Sequence, residues 1–269
     1  MHTKVGASML KPPSCAPRRL VRQFRGVVKG LRLPPLPSGD HLHIQLAYGV
    51  LGGAIWPSAV ALCRHLSEQH HDWLSTSRPL TIEWGAGTGG VGLFTAALGA
   101  RVVLTDVGPL TAAGYGGTTR LLQLLNDNAA ANRALLGEGA EVSVAELDWA
   151  QKAHAEAVMK RLRYAPGGFE LLLASDVIYS SAAHAPLART IAKLLCTKNG
   201  VAFVAHEPRM FSGAQLASPG VTDIQLTAFG LAAREAGLSL EEVAETGVEG
   251  ATAGTWHTVR IARLWPAAS

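Results

Sequence analysis

A glycine-rich turn is the first feature of this sequence that could do chemistry. Gly85, Gly87 and Gly90 satisfy the spacing G-x-G-x-x-G within Ile82–Gly90, directly after an apolar run. Glycines there let the backbone turn sharply and let a ligand approach without a Cβ in the way. Asp106 follows 19 residues after Gly87, at the end of the next apolar run. A carboxylate at that place accepts hydrogen bonds from a ribose diol, so the pattern indicates a nucleoside cofactor, either NAD or another.

Glu83 favours one of these cofactors over the other. It stands two residues before Gly85, where the pyrophosphate of NAD would lie nearby. An ionised carboxylate would repel phosphate charges in a poorly screened cleft, whereas it would suit a cationic ligand. S-adenosylmethionine carries a sulfonium and an ammonium and has no phosphate. The sign of this charge therefore favours the methyl donor, and the alternative of a glycine turn without ligand is weaker.

Two further acid-containing segments follow later apolar runs. Asp148 and Trp149 come after the third run and could accept from an adenine amino group and stack on its ring. Trp149 as ordinary core packing is the competing interpretation. Asp176 directly follows the apolar run Phe169–Ala174, and an acid there favours the cleft over the sheet interior. A helix-capping role for Asp176 is its alternative.

The elements that position these residues alternate between short apolar runs and helical stretches, which is typical of a parallel sheet with crossover helices. Gly99 is expected to cap the helix Val91–Leu98, and Pro186 is expected in the first turn of a helix ending at Leu195. The predicted fold is α/β: a Rossmann-like, seven-stranded, mostly parallel sheet with helices on both faces, plus an N-terminal extension. The predicted strands are Leu80–Trp84, Arg101–Thr105, Glu141–Ala145, Phe169–Ala174, Val201–Ala205, Ser239–Ala244 and Thr255–Leu264, and the other predicted helices are Thr118–Leu136 and Thr222–Ala236.

Composition limits the class of protein. The chain has 269 residues, of which 48% are hydrophobic and 16% charged, so it is not largely disordered. Three cysteines without C-x-x-C spacing predict neither a disulfide framework nor a zinc site, and no metal is expected. The most apolar uncharged stretch, Ile44–Cys63, is broken by glycines and a proline, which disfavours a membrane span.

The positive charge is concentrated at the start of the chain. Residues 1–40 carry eight basic side chains and one acid, so the remaining residues sum to −3 and nucleic acid is not an expected partner. We predict a basic extension over 1–40 and one catalytic domain over 41–269. The extension could be an organellar transit peptide, a basic tail for an acidic partner, or, over Leu20–Leu33, a strand pair followed by a turn at Pro34–Gly39.

Beyond these patterns, the chain resembles the seven-β-strand, non-SET protein-lysine methyltransferases of family 16 over about Leu42–Leu264. The matching pieces are Gly53–Ala59, Glu83–Gly89, Asn128 with Asn132, Leu147–Trp149, Asp176–Tyr179 and His206–Arg209. The Asp-x-x-Tyr after the fourth strand is the most specific of them. One departure is an apparent insertion at 108–119, near the expected ribose site.

The resemblance implies a class I methyltransferase fold and S-adenosylmethionine as cofactor. It implies that the cofactor is contacted by Trp56, Gly85, Ala86, Gly87, Asp106, Trp149 and Ser175. Asp176 and Tyr179 would shape the channel where the acceptor lysine meets the methyl group. It also implies a protein substrate such as a chaperone or translation factor, for a monomer in the cytoplasm. The alternatives are methylation of histidine, a small molecule or RNA, an NAD-dependent oxidoreductase, and a binding module without catalysis.

Overall fold

The sheet is the frame of the molecule. A computed structural model describes residues 31–47, 51–107, 121–136, 140–161, 167–208, 223–252 and 254–267. Within them the strands are β1 Leu80–Trp84, β2 Arg101–Asp106, β3 Val142–Glu146, β4 Leu171–Ser175, β5 Val201–His206, β6 Leu238–Glu249 and β7 Trp256–Pro266. Their order is β3-β2-β1-β4-β5-β7-β6, with β7 antiparallel to both of its neighbours and the rest parallel.

Helices cover both faces of this sheet. They are α1 Pro57–Gln69, α2 His71–Ser77, α3 Gly90–Ala97, α4 Leu121–Ala131, α5 Lys152–Arg161, α6 Ser181–Leu194 and α7 Ile224–Glu235. One core cluster packs α1, α3 and α4 on one face, and a second packs α5, α6 and α7 on the other. The predicted fold class is therefore confirmed: this is the seven-stranded class I methyltransferase architecture.

The strand order places the ligand-binding edge. Strands β1 and β4 are adjacent, and the chain runs outwards from them in opposite directions, to β2 and β3 on one side and to β5 on the other. The crevice at such a switch point, outside the carboxyl ends of the strands, is where open α/β sheets bind ligands. The residues that end β1, β2 and β4 are the ones singled out from the sequence, so the fold brings their segments to one edge.

Two predicted helices differ from those observed. Helix α6 begins at Ser181, five residues before Pro186, so the proline lies inside it and not in its first turn. The carbonyl that loses its N–H partner belongs to Ala182, which is exposed and can bind water. Helix α4 ends at Ala131, and the short 3₁₀ helix Arg133–Leu135 follows. The cause is Asn132, whose side chain donates to the Asn128 carbonyl and competes with the backbone there.

The sheet predictions agree more closely. β1 was predicted to the residue, whereas β6 continues five residues beyond the predicted Ala244, to Glu249. Gly99 has the predicted left-handed conformation after α3, with φ +115°. Two predicted helix starts, at Thr118 and Thr222, lie outside the described residues. The apparent insertion at 108–119 lies outside them as well.

The described part of the N-terminal region packs onto the body. Leu33 and Leu36 are buried in the cluster on the α1 face, and the amide of Gly39 donates to the Leu36 carbonyl in the turn that the sequence predicted. The predicted strand pair over Leu20–Leu33 lies almost entirely outside the described residues. The domain boundary at residue 40 stays a prediction.

Candidate active site

The glycine turn after β1 is held by the end of β2. Gly85 and Gly87 have φ of +56° and +55°, a conformation that favours glycine. The Gly87 amide donates to Oδ2 of Asp106 at 2.7 Å, and the Ala86 amide donates to the Thr105 carbonyl at 2.9 Å. Backbone amides of the turn are therefore fixed to the end of β2.

Gly85 is the point where three segments of the site meet. A Cβ added there would lie 2.9 Å from Cγ1 of Val177 and 3.5 Å from Cζ2 of Trp149. Val177 follows Asp176 after β4, and Trp149 follows β3. The structure thus brings together the turn and both of the acid-containing segments predicted from the sequence.

Asp106 ends β2 beside this turn. Its Oδ1 accepts from the Val107 amide at 2.7 Å, while Oδ2 accepts from Gly87. Burial raises the pKa of Asp106, against the lowering effect of these two N–H donors. Each carboxylate oxygen can accept more than one hydrogen bond, so acceptor capacity remains for a ribose diol.

The side chain of Glu83 is directed to α3, whereas the choice between NAD and S-adenosylmethionine assumed that it faces the ligand. Its side chain is 1% exposed, and Oε2 accepts from the Gly92 amide in the first turn of α3 at 2.8 Å. Burial raises the pKa of Glu83 from 4.5 to about 8, which the Gly92 N–H opposes and the nearby Asp106 reinforces. At pH 7 this carboxyl is largely protonated. The repulsion of a pyrophosphate by an ionised Glu83 therefore does not decide between cofactors, and its contact with the methyl donor stays a prediction.

Asp148 and Trp149 form the wall after β3. Asp148 lies just before α5, at the start of a turn in which its Oδ1 accepts from the Ala150 amide at 2.9 Å and its Oδ2 from Nε2 of Gln151 at 3.0 Å. The indole Nε1 of Trp149 is out of solvent and has no hydrogen-bond partner among the described residues. An orphaned donor beside Gly85 fits a ligand that offers an acceptor.

The segment after β4 carries the acid expected at the acceptor channel. Ser175 ends β4, half-buried, and Asp176 follows in the left-handed region with φ +58° and 8% exposure. The Asp176 amide donates to the Ala205 carbonyl of β5 at 2.8 Å. A non-glycine residue held with positive φ costs about 1 kcal/mol or more and is common at functional sites. Tyr179 lies nearby in sequence and is 44% exposed.

Trp56 approaches the glycine turn from a different part of the chain. It is half-buried and precedes the first residue of α1. The segment before it contains Gly52, whose carbonyl oxygen would lie 2.3 Å from a Cβ on Gly87. This backbone contact requires glycine at 87, and it places the Trp56 segment against the turn.

Two asparagines, Asn128 on α4 and Asn132 directly after it, have a role that the sequence did not reveal. Asn128 accepts from the Gln45 amide at 2.8 Å and donates to the carbonyls of Gln45 and Thr88 at 3.1 and 2.8 Å. Asn132 likewise accepts from and donates to His43, at 2.7 and 2.9 Å. Both side chains thus pair with an extended backbone segment as a neighbouring strand would, and Asn128 also joins it to the glycine turn. Their spacing on one helix face was the available signal.

The residues at this edge fit a nucleoside cofactor. The carboxylate of Asp106, the orphaned Trp149 indole and the Cβ-free surface of Gly85 are the features that such a ligand requires. Among the residues that the structure describes, no cluster of three or more His, Cys, Asp or Glu could hold a metal ion. Within the same residues, no helix has the length and apolar character to span a bilayer.

Comparison with known proteins assigns the chain to a family. A family described as lysine methyltransferase matches residues 40–215, and the chain belongs to that family. It is 29% identical to mouse EEF1A lysine methyltransferase 3 over 180 residues, covering 66% of each chain. It is 31% identical to mouse protein N-lysine methyltransferase METTL21A over 155 residues, covering 58% of this chain and 60% of the relative. The alignments thus leave a third or more of each relative unmatched.

Among solved structures, the CcbJ methyltransferase from Streptomyces caelestis aligns at 14% identity with a TM-score of 0.49, covering 81% of this chain and 93% of that one. Magnesium protoporphyrin IX methyltransferase from Synechocystis, solved with S-adenosylhomocysteine, aligns at 14% identity with a TM-score of 0.46, covering 77% and 84%.

Proposed function

We propose that this protein is an S-adenosylmethionine-dependent protein-lysine N-methyltransferase. The observation that carries the proposal is the family match over residues 40–215. That range contains every residue that the structure gathers at the carboxyl edge of β1, β2 and β4. The two mouse relatives bear names of lysine methyltransferases, which supports a protein substrate.

On the donor side, the chain supplies a preformed cradle. Asp106 would accept from the ribose, Trp149 and Asp148 would line the adenine, and Gly85 to Gly87 would offer bare backbone. Trp56 and Ser175 complete the proposed contacts. When bound, S-adenosylmethionine supplies a methyl group on a cationic sulfur. The pre-ordered hydrogen bonds of Asp106 mean that little of the binding free energy is spent on forming the turn.

On the acceptor side, Asp176 and Tyr179 would receive the lysine. A lysine amine attacks only when neutral, although its unperturbed pKa is near 10.4. The buried apolar neighbours Val177 and Ile178 disfavour a charged amine. A carboxylate oxygen of Asp176 can accept a hydrogen bond from the amine and orient its lone pair towards the methyl group.

The substrate is a further part of the proposal. The name of the mouse EEF1A relative supports a translation factor, and a chaperone is the second choice from the family resemblance. We place the enzyme in the cytoplasm as a monomer. Two free, buried cysteines, Cys63 and Cys196, agree with a reducing compartment. An organelle is the alternative if residues 1–40 contain a transit peptide.

The test separates chemistry from donor binding. Asp176→Asn is the sharpest variant, because asparagine tolerates the left-handed conformation and removes only the charge. We expect methyl transfer to lysine to fall at least about 100-fold, while S-adenosylhomocysteine affinity by calorimetry stays within about tenfold. Asp176→Ala should abolish transfer as well. Asp127→Asn, on the exposed side of α4, is the control and should behave as wild type.

Two results would contradict the proposal. One is Asp176→Asn turning over at the wild-type rate. The other is calorimetric binding of NAD without binding of S-adenosylhomocysteine, which would assign the site to an oxidoreductase. If the wild-type protein binds the donor but methylates no lysate protein, the protein is a binding module without catalysis.

A further inference from the structure

A buried histidine lies at the end of β5, next to the proposed acceptor site. The side chain of His206 is 1% exposed, and its Nε2 lies 3.5 Å from Oδ2 of Asp223, whose side chain is 5% exposed. Neither ring nitrogen of His206 has a hydrogen-bond partner among the described residues, and neither does Oδ2 of Asp223, so this 3.5 Å contact lacks hydrogen-bond geometry. None of the donor-binding steps above uses this pair.

Asp223 is fixed independently of the histidine. Its Oδ1 caps α7 by accepting from the amides of Gln225 and Leu226 at 3.0 and 3.1 Å. Burial alone would raise the pKa of Asp223, but the His206 contact, the Leu226 N–H and the charge of Arg260 together hold the pKa below its usual range. The residue is therefore an anchored carboxylate that faces the imidazole.

Packing does not account for a histidine at this position. The side chains of β5 that share its face, Ala202 and Val204, are apolar and belong to the core with α6 and α7. Burying a histidine and a carboxylate costs free energy that an apolar residue of similar size would not. A polar pair at such a place suggests a role other than stability.

The end of β5 also supports Asp176. The strained Asp176 backbone donates to the carbonyl of Ala205, the residue directly before His206. Ser175 and Ala205 are register partners, so the two strands end side by side. Any change in the position of His206 thus reaches Asp176 through a single peptide unit.

Other charged groups surround the histidine. Arg260 of β7 lies opposite His206 in the register, and its Nε is 3.1 Å from Oε2 of Glu245 on β6, with Glu242 at 3.8 Å. Asp223, which caps α7, is the acid that faces the ring, and Glu207, directly after β5, contacts His257 at 2.6 Å.

We propose that His206, held by Asp223, is a positioning residue for the methyl acceptor, because it fixes the β5 end that supports Asp176. This inference rests on the proposed function. Donor binding is expected to depend little on the pair, because most of the proposed donor contacts come from the turn after β1 and from the ends of β2 and β3, and only Ser175 lies beside Ala205.

His206→Gln tests the proposal, because the glutamine amide can donate to Asp223 from the position of Nε2 but does not titrate. The substrate is the unmethylated form of a protein that the wild-type enzyme methylates. We expect kcat to fall about tenfold or more, while the Kd for S-adenosylhomocysteine changes less than about twofold. His65→Gln, a half-buried histidine on α1 that contacts Phe203, is the control and should keep the wild-type kcat.

Asp223→Asn is the second variant, which applies if His206→Gln fails to fold. Asparagine retains the helix cap but removes the carboxylate that faces the ring, so the same loss of kcat is expected. A folded His206→Gln or Asp223→Asn protein with the kcat of wild type would overturn the inference.

A readout without turnover keeps this inference distinct from the proposed function. In ¹⁵N-histidine NMR of the S-adenosylhomocysteine complex at one fixed pH, Asp176→Asn should shift the ring signals of His206, and the His206→Gln spectrum assigns those signals. Unchanged His206 signals contradict the inference. If wild type methylates no lysine while the His206 signals shift, the proposed function fails and the coupling stands.

Discussion

Replacing Glu83 by glutamine should change how the stability of the protein depends on pH. In the folded protein burial raises the pKa of Glu83 to about 8, against 4.5 when unfolded. Between these values the folded state binds more protons than the unfolded state, so the free energy of unfolding falls as pH rises. The full shift corresponds to about 5 kcal/mol at about 1.4 kcal/mol per pKa unit. Glutamine keeps the acceptor for the Gly92 amide but cannot ionise.

The expected result is a difference between two pH profiles. From pH 5.5 to 7.5, wild type should lose about 2.5 kcal/mol of unfolding free energy more than Glu83→Gln. Urea unfolding at three pH values measures this, and because both proteins contain Asp106, its own titration largely cancels. If the two profiles run parallel within about 0.5 kcal/mol, Glu83 ionises freely in the folded protein and the reasoning from burial is wrong.

Three other changes have expected outcomes. Asn128→Asp should destabilise the protein by about 3 kcal/mol or more in urea unfolding, because it removes two buried donations and adds a charge, whereas exposed Asn126→Asp should change it little. Gly85→Ala should weaken S-adenosylhomocysteine binding at least about tenfold by calorimetry, because alanine is strained at the positive φ of residue 85 and its Cβ would meet Val177. The control Gly230→Ala lies in open space on α7 and should stabilise the protein by about 0.5–1 kcal/mol. Burial, aided by the charges of His65 and Arg263, lowers the pKa of His70, so stability should fall as pH drops below 6.5, and His70→Phe should reduce that loss. An expectation would be contradicted if the variant gave the same result as its control, or, for His70→Phe, the same loss of stability at low pH as wild type.

The central strands were predictable because their signals are local. β1 and β4 are apolar runs bounded by turn-forming residues. A nearly continuous apolar run is the sequence pattern of a parallel strand that is buried on both faces. The location of Asp106 and Asp176 followed from the rule that carboxyl ends of parallel strands share one edge. The candidate site could therefore be assembled segment by segment from the sequence.

The direction of Glu83 could not be predicted. In a strand buried on both faces no alternation shows which way a side chain points, so an acid at the strand end can face the cleft or a neighbouring helix. The structure directs it to the first turn of α3, where a helix N-terminus offers an N–H donor.

Long-range pairing was the other signal that the sequence did not carry. Asn128 and Asn132 bind backbone groups 83 and 89 residues earlier in the chain. The composition of residues 42–47 does not indicate that this segment pairs with the two asparagines. The side-chain amides of Asn128 and Asn132 bind main-chain groups, which every residue has. The same holds for the pairing of His206 with Asp223, which only the end of β5 and the start of α7 bring together.

Identification of a methylated lysine tests the central claim most directly. The protein and its Asp176→Asn variant would each be incubated with labelled S-adenosylmethionine and a cell lysate, and the labelled protein would be sequenced by mass spectrometry. We expect one dominant acceptor protein with the label on a lysine side chain, and no such label with the variant. Label on RNA, a small molecule or a histidine, or equal labelling by the variant, would contradict it.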